Sequence, residues 1–250
     1  MVRVKICGIR SFEEALMAVN AGADALGFVF APKSKRYVDP VSVREMTTRI
    51  SPFVARVGVF VDSTPNEVER IAKISGLTAV QLHGDENPED FRYLSLPLIK
   101  AVKVKVTRGE FAAEGNDSVG KGADENALQA GKQELALETG QDFTMQLRRW
   151  QGLVQGILVD SAVLGQFGGT GHPVPWSNSE VQNLFASIKA LGIPLILAGG
   201  LSPENVKEGI LAVHSEAVDV SSGVELAGRK DARLIREFIK QVQEAAKIIR

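Results

Sequence analysis

A single cysteine in 250 residues, Cys7, excludes an internal disulfide and a cysteine-based zinc cluster, and leaves that one thiol to either packing or chemistry. The three histidines are scattered and form no metal-binding spacing. Charge of one sign is also missing. With 29 basic against 30 acidic residues the net charge is −1, so nothing holds a polyanion by counterion release, and nucleic acid is excluded as the main partner. No apolar run approaches the roughly 18 residues of a membrane-spanning helix. Met1-Val2-Arg3-Val4-Lys5 lacks the apolar core of a signal peptide, so a cytoplasmic chain with no membrane partner is expected. What remains, 44% hydrophobic and 24% charged, is an ordinary globular composition, long enough to bury one large core or two small ones.

Short β-branched runs, each followed by a turn signal and a charged stretch of helical spacing, recur about eight times along the chain. The expected strands are Val2 to Ile6, Ala25 to Phe30, Arg56 to Val61, Ala79 to Leu82, Leu98 to Val102, Gly156 to Val159, Pro194 to Leu197 and Ala217 to Val220. Most are apolar almost throughout, as strands buried on both faces are. Phe12 to Ala21, Asn66 to Ser75 and Glu180 to Leu191 supply crossover helices. Ser63-Thr64-Pro65-Asn66-Glu67 and Ser202-Pro203-Glu204 each place a cap candidate before proline and an acid in the first turn. Eight β/α units in this length match a single (β/α)8 TIM barrel over residues 1–250. A doubly wound nucleotide-binding sheet is disfavoured, because Cys7-Gly8-Ile9-Arg10 stands where Gly-x-Gly-x-x-Gly would follow the first strand.

One stretch breaks the rhythm between strands five and six. Residues 105–142 hold eight acids, four bases and six glycines with few large apolar side chains, too little to build a core. It reads as a polar surface insertion, either simply tolerated or serving as a lid or partner-binding segment, with a barrel helix resuming over Thr144 to Leu153.

In a parallel barrel the carboxyl ends of the strands surround one mouth, where active sites are built. Polar and glycine residues recur there. Gly199-Gly200 and Ser221-Ser222-Gly223, at the exits of strands seven and eight, suit a phosphate held by backbone N–H groups, or else serve tight turns. Gly169, within Gly168-Gly169-Thr170-Gly171-His172, is expected in a flexible segment suited to closing over a ligand, or else in a plain linker. Alternation places Arg3, Lys5 and Cys7 on one face of strand one, the expected interior, with Asp219 as the expected partner of Lys5. At the mouth a thiol near cationic groups is a candidate base or nucleophile. Asp160 ends an apolar strand and is a candidate proton donor, or a turn cap. Arg36, in Ser34-Lys35-Arg36-Tyr37, suits a carboxylate, or is a solvated loop arginine. His83 is a candidate hydrogen-bonder to substrate without a catalytic role, and Asp62 either binds substrate or orients its neighbours. A thiol and a carboxyl across one mouth suggest isomerisation without metal or cofactor.

Lys5-Ile6-Cys7-Gly8-Ile9, Gly27-Phe28-Val29-Phe30 with Ser34-Lys35-Arg36-Tyr37, and Gln81-Leu82-His83-Gly84-Asp85-Glu86 occur here in order. With Val159-Asp160-Ser161, Leu197-Ala198-Gly199-Gly200-Leu201 and Asp219-Val220-Ser221-Ser222-Gly223-Val224-Glu225 they resemble the phosphoribosylanthranilate isomerase family of tryptophan biosynthesis over nearly the whole chain. The resemblance implies that Asp160 is the general acid and Cys7 the general base of an Amadori rearrangement. It further implies that Arg36 binds the anthranilate carboxylate, and that the backbone around Gly200 and Ser222-Gly223 anchors the phosphate of a small-molecule substrate. No cofactor is implied, and the chain is expected as a monomer or homodimer. Two features depart from the family pattern: Arg10-Ser11 replaces the usual Thr-Arg after the base, and the 105–142 segment is longer than the family needs. The competing readings each require something else. A synthase needs a lysine-centred mouth, an epimerase needs paired Asp and His ligands, and a noncatalytic sugar-phosphate sensor needs no proton-transfer pair.

Overall fold

The computed structural model describes residues 1–103, 106–108, 135–137, 141–160 and 179–249. Eight parallel strands, β1 (Arg3–Cys7), β2 (Ala25–Val29), β3 (Ala55–Phe60), β4 (Ala79–Leu82), β5 (Leu98–Lys103), β6 (Gly156–Asp160), β7 (Leu195–Ala198) and β8 (Ala217–Val220), form the core of the chain. They close into a ring in the order β1-β8-β7-β6-β5-β4-β3-β2, the expected barrel, with every strand end within one residue of expectation. The helices are α1 (Phe12–Ala21), α2 (Pro40–Thr47), α3 (Pro65–Ser75), α4 (Gln141–Arg148), α5 (Ser179–Ala190), α6 (Val206–Val213) and α7 (Ala232–Ile248).

Local chemistry sets the helix starts. Ser11, Asp39, Thr64 and Asp231 each accept a backbone N–H of the first turn, with proline pre-setting the first helical residue after Asp39 and Thr64. At Ser202-Pro203-Glu204 the expected cap is replaced by a turn: Asn205 Oδ1 accepts from Ser202 N at 2.8 Å, and α6 begins only at Val206. After β4 a 3₁₀ turn, Pro88–Phe91, takes the place of a full helix. α4 starts three residues before the expected Thr144 and ends at Arg148, so its first two residues overlap the end of the expected insertion. Earlier in the insertion the backbone of Val106–Arg108 pairs antiparallel with Leu135–Leu137, and the remainder before Gln141 lies outside the described residues.

Alternation divides the strands between two environments. Val4, Ile6, Leu26, Phe28, Ile157 and Val159 face outward and join Ala15, Ile71 and Phe238 of the helices in one large apolar shell. Burying each such side chain contributes about 1.5–3 kcal/mol. The inner face holds a small apolar plug of Ala101, Leu158, Ile196 and Ala198. It also holds a buried ion pair where the ring closes: Lys5 on β1 is in register with Asp219 on β8, and Lys5 Nζ donates to Asp219 Oδ1 at 2.9 Å. Burial lowers the Lys5 ammonium, but the carboxylate of Asp219 and the sulfur of Cys7 outweigh it and hold the group raised.

Asp219→Ala therefore leaves a buried ammonium unpaired and is expected to cost about 3–5 kcal/mol, read from urea unfolding midpoints. The double variant Lys5→Met/Asp219→Leu is expected to recover most of that loss, and a double variant no better than Asp219→Ala would contradict the ion-pair account.

Candidate active site

Cys7 is the last residue of β1 and is 8% exposed. Its carbonyl accepts from Ser221 Oγ at 3.1 Å, which ties the end of β1 to the end of β8. Burial is the largest influence on the thiol and raises it above its ordinary 9.0; the Asp219 carboxylate raises it further, while Lys5 and Lys230 oppose without prevailing. The cationic neighbours expected from sequence are present, but they do not outweigh the effect of burial on the thiol.

Asp160 ends β6 and is part-exposed at the mouth. Its neighbours Ile157 and Val159 face the outer shell, so the carboxyl group shares its face with Leu158 and with the cavity. His83 Nε2 lies 3.4 Å from Asp160 Oδ2, and His83 Nδ1 lies 3.0 Å from Gln81 Nε2. Period two along β4 puts Gln81 and His83 on one face.

Arg36 is bound within the protein. Its Nε and Nη2 reach Glu225 Oε1 and Oε2 at 2.8 and 2.9 Å, a bidentate pair that holds the guanidinium plane beside the mouth. Lys230, with a side chain 1% exposed, donates to Glu225 Oε1 and to the Ser221 carbonyl, each at 2.9 Å. Burial raises Glu225, but hydrogen bonds from Arg36 and Lys230 and the two positive charges outweigh it and bring it down to about 2. Desolvation in turn lowers Lys230 despite Glu225. Sequence reading gave Glu225 and Lys230 no function: Glu225 and Arg36 are 189 residues apart, and no local pattern joins them.

After β7, Gly199 and Gly200 have φ of +83° and +62°, a left-handed pair that glycine adopts at little cost. Gly223 is needed for space: a Cβ there would sit 1.9 Å from the Leu201 carbonyl oxygen, so the loops after β7 and β8 press backbone to backbone. Asp62 holds the backbone of the neighbouring loop. Its Oδ1 accepts from Asp85 N at 2.7 Å, and its own N–H donates to Glu86, which Lys100 pairs at 2.6 Å. This bracket shapes the loop that carries His83. Gly169 and its glycine-rich neighbours lie outside the described residues.

Cys7, Arg36, His83, Asp160, Gly199, Gly200, Ser221 and Ser222 thus line one cavity of about 360 Å³ at the mouth, with Gly223 packed behind its wall. A second hollow of about 290 Å³, between α2 and α3 on the outer surface, has no thiol or imidazole in its lining.

Because Glu225 is lowered on folding, its contribution to stability is complete above its ordinary 4.5 and is lost as pH falls towards about 2. Urea midpoints measured from about pH 5 down to 2.5 should fall more steeply in the wild type than in Glu225→Gln. Parallel curves would show that the carboxylate is not held in this way.

The family model for N-(5'-phosphoribosyl)anthranilate isomerase matches residues 4–120 and 123–241. The N-(5'-phosphoribosyl)anthranilate isomerase of Desulfitobacterium hafniense (strain DSM 10664 / DCB-2) is 42% identical over 247 residues, 98% of this chain and 98% of that one. The crystal structure of phosphoribosyl anthranilate isomerase from Thermotoga maritima superposes with a TM-score of 0.74 at 37% identity, covering 98% of this chain and 100% of that one. A second isomerase crystal structure, in complex with reduced 1-(o-carboxyphenylamino)-1-deoxyribulose 5-phosphate, gives 0.69 at 35% identity, covering 98% of this chain and 100% of that one. A matching family model over nearly the full length, together with the same barrel, places this chain in the N-(5'-phosphoribosyl)anthranilate isomerase family.

Proposed function

We propose that Asp160 and Cys7 are the acid and the base with which this chain isomerises N-(5'-phosphoribosyl)anthranilate to 1-(2-carboxyphenylamino)-1-deoxyribulose 5-phosphate in tryptophan biosynthesis. The observation that carries the assignment is the placement of both groups on one 360 Å³ cavity whose wall is the Gly199-Gly200 and Ser221-Ser222 backbone. The bound ligand of the similar isomerase structure carries the same chemical parts as this product, a carboxyphenylamino group and a 5-phosphate.

Each part has a counterpart at the mouth. The loops after β7 and β8 bring backbone close enough to hold the phosphate, and the positive-φ glycines keep that backbone free of side chains. Arg36 spends one edge of its guanidinium on Glu225 and keeps its remaining N–H groups for the anthranilate carboxylate. Asp160 gives its proton to the furanose ring oxygen. The C1–O bond breaks as the nitrogen lone pair forms the Schiff base. Cys7, deprotonated, then takes the C2 proton, its electron pair moving to form the enolamine, which tautomerises to the ketone. Holding the substrate at both ends fixes C2 and the ring oxygen relative to the two groups, which is where orientation lowers the barrier. We read the whole chain as one barrel domain with 105–142 as an insertion within it, and as a cytoplasmic enzyme.

Turnover of freshly generated substrate, followed by loss of anthranilate fluorescence, tests the roles. Cys7→Ala and Asp160→Asn should each lower kcat by about 10²- to 10⁴-fold, with a small change in KM. A variant that keeps its kcat removes that residue from the mechanism, and substrate binding without turnover by the folded wild type would favour a sensor.

The raised thiol adds a pH signature. A base whose proton leaves only above 9.0 grows in population as pH rises, so kcat/KM should still be climbing at pH 9, and this limb should be absent from Cys7→Ser. A profile that is already flat by pH 8 in the wild type would contradict the raised thiol.

A further inference from the structure

The inner face of β4 carries a side chain with no place in the mechanism so far. Gln81 is 1% exposed, in register with Val59 of β3 and Ile99 of β5, inside the barrel directly beneath the mouth. A buried amide costs stability unless its polar atoms are paired. Here Nε2 is paired and Oε1 has no hydrogen-bond partner among the described residues. An amide retained there at that cost points to what its nitrogen does.

Gln81 Nε2 meets His83 Nδ1 at 3.0 Å. An amide nitrogen only donates, so Nδ1 must present its lone pair, and the neutral ring must carry its proton on Nε2. Nε2 is the atom 3.4 Å from Asp160 Oδ2. The ring is held from the other side by its backbone, because His83 N donates to the Phe60 carbonyl at 2.8 Å. The loop beyond it is bracketed by Asp62, Glu86 and Lys100.

We propose that Gln81 and His83 are positioning residues for Asp160: Gln81 fixes the Nε2–H form of His83, and His83 directs that N–H at Oδ2, leaving Oδ1 to carry the proton to the substrate. The inference rests on Asp160 being the acid. At 3.4 Å the contact is long for a hydrogen bond, and it gains strength as negative charge develops on the carboxylate during proton transfer. An interaction that is stronger in the transition state than in the resting state accelerates the step instead of merely tightening binding. His83 then acts on Asp160 and not on the substrate, so its removal lowers kcat and leaves KM.

The test combines kinetics with ¹⁵N NMR of the imidazoles, the three histidines being assigned by single substitution. The wild type should show His83 in the Nε2–H form at neutral pH. Gln81→Leu, which keeps the volume, should lose that preference. Gln81→Glu, which accepts from Nδ1, should invert it. Both variants, and His83→Ala, should lower kcat about 10- to 100-fold, the size expected for one hydrogen bond to a developing charge, with KM within about twofold. In an Asp160→Asn background His83→Ala should cost nothing more, since it acts through Asp160. An Nδ1–H form in the wild type overturns the inference regardless of how the variants fold. So does a rise in KM at constant kcat, which would make His83 a substrate contact. Full activity in Asp160→Asn would instead overturn the assignment of the acid, a failure separable from normal kcat in the Gln81 and His83 variants when Asp160→Asn is inactive.

Discussion

Closing the ring between β1 and β8 places the chemistry at the mouth. Lys5 and Asp219 meet there, one layer below the rim, buried where neither charge is tolerable alone. Their register fixes that of Cys7, the next inward residue on β1, against Ser221 just past β8. The thiol thus sits above an ion pair and beside the loop read as the phosphate site, and burial rather than cation proximity controls its proton. From this seam the rest of the mouth follows: the β7 and β8 loops press together at Gly223, and Asp160 stands three strands round the ring from Cys7.

Three further clusters brace the mouth, two of them meeting at Lys230. Glu225 spans Arg36 and Lys230, and Lys230 continues to the Ser221 carbonyl, so the group expected to read a carboxylate and the loop expected to read a phosphate share one buried anchor. Arg10, where the family pattern has threonine, donates to the Gly228 carbonyl. Glu14 of α1 accepts from the backbone of both Arg10 and Lys230, pinning the Glu225 to Lys230 hairpin against the start of α1. On the far side Asp62, Glu86 and Lys100 brace the loop carrying His83. Such preorganisation lets a few polar groups act without reorganising during the reaction. It also explains why the mouth contains more buried charge than stability alone favours.

Much of this was open to reading in the sequence because it is local. Ser11, Thr64 and Asp231 announce helix starts by contacts spanning two or three residues. The alternation in Arg3 to Cys7 already separates inward from outward side chains, and even Lys5 with Asp219 could be paired once a barrel was assumed, since its first and last strands must be neighbours. Gln81 and His83 carry a signal of their own, two polar residues at period two along a buried strand and its exit. Ser202-Pro203-Glu204 does not start a helix, because the side chain of Asn205, three residues on, captures the Ser202 N–H and delays α6 to Val206.

Strand and helix order, the barrel, the mouth and the chemical type of each mouth residue follow from periodicity and turn chemistry, which act over a few neighbouring residues and are written directly in residue order. Which carboxylate meets which cation does not. Glu225 with Arg36 and Asp160 with His83 are pairings between distant segments, set by strand register and loop packing. The rise of the Cys7 thiol is likewise a property of enclosure: a charge pays for lost water according to what surrounds it in three dimensions, and no order of neighbours along the chain records that.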